Sequence, residues 1–84
     1  MQAETFAETA HQKPFRPFRV HLKDGQYYDV RYQGLTLVLR TYVVIGIPVP
    51  GQQDPYAEYT VRVQLTDIDR LEMLDGAAAA SVAS

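Results

Sequence analysis

The chain predicts a small, mainly β domain, a partly open barrel of about five strands preceded by a short N-terminal helix. Three observations carry that expectation. The 84 residues make one domain, and a chain of that size buries only roughly 60–65% of its unfolded surface, so its core is small. From Phe18 to Tyr32, apolar residues recur at every second position on both sides of Asp24-Gly25, the strongest short-range hairpin signal a sequence offers. Finally, runs rich in β-branched and aromatic residues at 41–47 and 58–65 are bounded by Pro and Gly.

Residues 1–13 form a helical arm, with a helix expected over Glu4–Gln12 that places Phe6, Ala7 and Ala10 on one side. Pro14 disfavours helical geometry at Lys13 and ends it. So short a helix is not stable alone and must dock Phe6 on the barrel. The barrel domain spans 14–75. Pro14-Phe15-Arg16-Pro17 is an extended lead-in to the first strand. A two-residue turn at Asp24-Gly25 would mix apolar and charged residues on one face. A three-residue loop, Lys23-Asp24-Gly25 with Gly25 left-handed, instead sets Val20 opposite Tyr28, Phe18 opposite Val30 and Arg19 opposite Asp29. That register is the one expected.

Gln33-Gly34 breaks the second strand, and 35–39 is either a strand piece or a packed turn. Strand 41–47 is apolar on both faces: with Val43, Ile45 and Ile47 inward, Tyr42 and Val44 need cover from the helix, the 48–57 loop or another chain. Strand 58–65 alternates, with Tyr59, Val61, Val63 and Leu65 inward. Residues 66–74 suit a helix, since Ile68, Leu71 and Leu74 recur every three residues, and equally a tight turn followed by a strand over 70–74. The Ala-rich 76–84 is expected to be a disordered tail.

The formal charge is −2, an argument against a dedicated nucleic-acid binder. It divides unevenly: residues 1–53 carry six Lys/Arg and four acids, net +2, and 54–84 carry two and six, net −4. Cysteine is absent, which removes disulfides and thiolate metal sites and fits the cytoplasm. No apolar run approaches the ~20 residues of a membrane span, and the N-terminus lacks the features of a signal peptide. A cytoplasmic location without membrane partnership is expected.

Two resemblances follow from these residues. Pro14-Phe15-Arg16-Pro17-Phe18, Leu22-Lys23-Asp24-Gly25 and Thr66-Asp67-Ile68-Asp69-Arg70-Leu71-Glu72 resemble a group of short uncharacterised bacterial proteins over roughly residues 13–74. The group brings no assigned activity. The order of elements (helix, Asp-Gly hairpin, third strand, fourth strand, one-turn connector, closing strand) resembles small SH3-like and Sm-like barrels. That resemblance implies a turn plus strand at 66–74. It also implies rings in which 58–65 of one subunit pairs with 70–74 of the next. The Sm-like RNA element is not matched at 33–41, and two aspartates at the 66–69 turn would repel phosphate, so no RNA contact carries over.

Catalysis finds little support. Ser81 and Ser84 lie in the Ala-rich tail, asparagine and cysteine are absent, and His11 and His21 show no metal-ligand spacing. Asp67 and Asp69 alone make a poor calcium site. No catalytic residue, metal, cofactor or small-molecule substrate is expected. The expectation is a non-catalytic interaction module that assembles with itself or another protein subunit, with Tyr42, Val44, Tyr59, Val61 and Leu71 as the candidate self-association residues. The alternative is an RNA-binding protein using Arg16, Arg19, His21, Lys23, Tyr27 and Arg31, basic groups interleaved with an aromatic on the outer face of the hairpin.

Overall fold

The computed structural model describes residues 1–48 and 56–74. The centre of the expected 48–57 loop and the Ala-rich tail lie outside the described residues. The helix α1 runs Ala3–Ala10 and is followed by β1 (Phe18–Leu22), β2 (Tyr27–Val30), β3 (Thr36–Val38), β4 (Tyr42–Pro48) and β5 (Ala57–Gln64). A single 3₁₀ turn (Leu65–Asp67) then leads into β6 (Ile68–Met73). Two antiparallel three-stranded sheets result, in the orders β2-β1-β6 and β3-β4-β5, without closing into a barrel. The class is as expected, with one refinement. The second strand is broken at 31–35, around Gly34 at φ +90°, and its halves β2 and β3 join different sheets.

The hairpin takes the three-residue loop. Leu22 N–H donates to the Gln26 carbonyl (2.8 Å) and Gly25 N–H to the Leu22 carbonyl (3.0 Å), with Gly25 at φ +92°. Phe18 pairs with Val30, Arg19 with Asp29 and Val20 with Tyr28, so the register is the one that keeps apolar residues on one face.

The core lies between the sheets. Phe18, Val20 and Val30 enter it from the first sheet, and Val43, Ile45 and Val63 from the second. Phe6 of α1 meets Phe18 edge-to-face at 5.7 Å. Burying such a ring is worth about 1.5–3 kcal/mol, which offsets the ordering of a helix too short to persist alone.

The spacing that made 66–74 ambiguous has a specific cause. His21 pairs with Arg70 but Leu22 with Ile68, so Asp69 is an extra residue bulged out of β6. The bulge lets Ile68 and Leu71, three positions apart, both face the core, imitating a helical period within a strand.

One expectation is corrected. Tyr59 was placed inward, yet it is 57% exposed. It does share a face with Val61 and Val63. Burial falls along that face from Val63 through half-buried Val61 to Tyr59, because the eight-residue β5 outruns the four- to six-residue strands of the facing sheet. No helix among the described residues is long and apolar enough to cross a membrane.

Candidate functional site

The two sheets turn contrasting outer faces to their surroundings. On the first, cross-strand pairing places Arg19 beside Asp29, and the guanidinium grips the carboxylate with both ends, Nε at 2.7 Å and Nη2 at 3.1 Å. Arg31 reaches the same carboxylate at 3.2 Å. The Arg19 hydrogen bond holds the Asp29 carboxyl below its usual range against the opposing pull of desolvation, and Arg19 is correspondingly held more firmly protonated. The Arg19 guanidinium also lies 4.1 Å from the centre of the Tyr27 ring. On β6, Glu72 accepts from His21 Nε2 at 2.8 Å, and that bond lowers its pKa.

The structure therefore brings together Arg19, His21, Tyr27 and Arg31 from the candidate nucleic-acid set, but with Asp29 and Glu72 among them. Lys23 stands at the exposed hairpin tip beside Asp24 and Asp67. Arg16 lies half-buried in the lead-in before β1. On the face itself, Arg19, Arg31 and His21 are already answered by carboxylates within hydrogen-bond distance.

The outer face of the second sheet carries an apolar strip on β3 and β4. Leu37 pairs with Val44 and Val44 with Arg62, so the three sit side by side. Leu37 is 61% exposed and Val44 half-buried. Arg62 lays its guanidinium 3.9 Å from the Tyr42 ring centre, shielding that ring. A shallow apolar groove continues over Leu35, Gly46, Ala57 and Thr60. A Cβ at Gly46 would stand 3.0 Å from that of Ala57, so a larger residue there requires that neighbour to give way. The helix does not cover this face: α1 packs beside β3 and turns Phe6 and Ala10 into the core.

Of the candidate self-association residues, Tyr42 and Val44 thus share one surface. Tyr59 and Val61 lie on the opposite side of the same sheet, and Leu71, paired with Val20, faces the core from the first sheet. Leu37 was missed by sequence reasoning. Its signal was present, because 35–39 is too apolar for an open loop, but without alternation nothing indicated which side chains faced out.

The edges complete the geometry. Among the described residues β5 is paired on one side only, and it is exposed over most of its length. Leu65 N–H donates to the Thr41 carbonyl (3.0 Å), which continues the β4–β5 ladder. The alternation of an antiparallel pair then directs the main-chain groups of Val61 and Val63 toward β4, and those of Thr60, Arg62 and Gln64 outward. By the same parity, with Leu74 N–H on the Pro17 carbonyl (2.9 Å), the outer edge of β6 presents Leu71 and Met73.

Among the described residues no group of three or more His, Cys, Asp or Glu is placed to hold a metal ion. Comparison with family models, with curated proteins and with solved structures returns no match.

Proposed function

We propose that the protein is a non-catalytic assembly module that joins a second protein chain, its own or another, by strand addition at β5. The observation that supports this best is the edge itself. Eight residues of high β propensity present outward N–H and C=O groups at Thr60, Arg62 and Gln64. The charge of Arg62 and the bulge at Glu58, where Ile47 pairs with Tyr59 but Pro48 with Ala57, are the obstacles to further pairing. The Leu37/Val44 face beside it adds apolar area that an associated chain would cover. The Sm-like reading of the topology belongs to the same proposal: two sheets joined by a one-turn connector, each with a free terminal strand, suit a module that builds assemblies through its edges.

The test is the solution mass by light scattering across a concentration series, with Thr60→Pro as the variant. Proline at 60 removes an outward N–H and leaves the β4 ladder intact. Wild-type association that Thr60→Pro abolishes, with unchanged circular dichroism, supports the proposal; wild-type association that Thr60→Pro leaves unchanged overturns it. RNA binding on the first sheet is the weaker reading, because Asp29 and Glu72 occupy the groups that phosphate would need.

A further inference from the structure

We propose that the groove between α1 and β3 binds a small amphiphilic carboxylate, with Arg40 holding the anionic head and apolar side chains lining the body. The site is separate from the β5 edge and does not depend on assembly there. Docking of α1 creates it. Phe6 and Ala10 point into the core, which leaves Ala3, Glu4 and Ala7, on a neighbouring stripe of the helix, opposite Val38, Leu39 and Arg40. The two alanines are too short to fill the space between the elements. That space measures about 430 Å³, within the roughly 300–1,000 Å³ of small-ligand sites. No local sequence pattern announces it, since residues 3–7 and 38–40 meet only because Phe6 docks.

Arg40 supplies the polarity. Arg19 and Arg31 share Asp29, Arg62 lies over Tyr42, and Arg70 is 3.9 Å from Asp69. Among the described residues, no hydrogen bond, ion pair or ring contact engages the exposed Arg40 guanidinium. Glu4 lines the same groove without forming an ion pair with it. That carboxylate stands in the first turn of α1, where the helix dipole favours it. A free guanidinium presents a planar fork that a carboxylate meets with two parallel bonds.

A second donor borders the groove. Leu39 N–H donates to the Tyr42 carbonyl (2.9 Å) and the Leu35 carbonyl accepts from Gly46 N–H (2.7 Å). Alternate residues of β3 therefore bond to β4, and the main-chain groups of Thr36 and Val38 turn to the strand's other edge. These features select the ligand class. A phosphate would be repelled more strongly by Glu4 and would leave the apolar walls uncovered. A neutral alcohol would leave the guanidinium unused. A monocarboxylate with a hydrocarbon body uses both.

Octanoate is the probe, titrated into the full chain below its micelle concentration while backbone amide shifts are followed by NMR, with octanol as the neutral counterpart. Octanoate is expected to shift the amides of 3–7 and 38–40 saturably. Arg40→Gln should weaken octanoate about three- to tenfold and leave octanol unchanged. Glu4→Gln should strengthen octanoate about twofold by removing a like charge. Both positions are exposed, and unchanged circular dichroism verifies the fold of each variant. Octanoate that binds Arg40→Gln as well as the wild type, or no better than octanol, overturns the proposal. Shifts confined to the Leu37/Val44 face overturn it as well, and so does the absence of any saturable shift.

Discussion

The outer face of the first sheet and that of the second are each built from three antiparallel strands, yet they are finished in opposite ways. On the first, Asp29 holds two arginines and Glu72 holds His21, so polar side chains satisfy one another across three strands. On the second, Leu37 and Val44 lie side by side, with Arg62 folded over Tyr42. The difference teaches where to look for a partner. A face whose charges are answered locally gains little from a ligand, since bringing a phosphate to Arg19 means first breaking a bidentate pair. An apolar face beside an unpaired edge gains from being covered.

The sharpest way to break the contrast is at Gly46. Gly46→Val should cost about 1–3 kcal/mol by overpacking against Ala57 and Leu35, read as a lowered midpoint in urea. Ala57→Gly in the same chain should recover part of that loss. Next in size, Asp29→Asn leaves Arg19 and Arg31 without their shared carboxylate. For a largely solvent-screened pair this costs at most about 1 kcal/mol of stability. It should also make the first face more cationic, detectable as salt-sensitive retention of single-stranded RNA that exceeds the wild type's.

The acid limb offers a third test. Asp29 has a folded-state pKa below its unfolded one, so its contribution is complete above the ordinary carboxylate range and is lost as pH falls through the depressed value. Denaturation midpoints should therefore decline below about pH 4, and Asp29→Asn should flatten that decline. Glu72 acts in the same direction. The smallest effect is expected at Leu37. Leu37→Lys should change stability by no more than about 0.5 kcal/mol while lowering the associated fraction in light scattering.

Legibility in the sequence followed the local physics. The hairpin was readable down to its register, because a one-residue slip would exchange its faces and only one register keeps Phe18 and Val20 with Tyr28 and Val30. The two-sided apolar character of β4 was equally plain. Tyr59 was misplaced because alternation reports the face of a strand and not how far the opposite sheet extends to cover it. Arg19 and Asp29 were legible as a cross-strand pair, but the capture of Arg31 by the same carboxylate was not, since it depends on rotamers. Leu37 stayed hidden because a run apolar at every position carries no period to read.

The bulge at Asp69 bears on how the chain tolerates insertion and deletion. Removing that one residue would restore an unbroken ladder between β1 and β6, which looks like an improvement on paper. Because Leu22 already pairs with Ile68 and His21 with Arg70, every other side chain would keep its partner and its face, with Ile68 and Leu71 then alternating regularly toward the core. The closing strand is thus expected to tolerate loss of Asp69 better than loss of any one residue from 70 to 73, which would exchange the faces of the side chains on one side of the gap; exchange of the Asp69 side chain, exposed and 3.9 Å from Arg70, should be nearly silent.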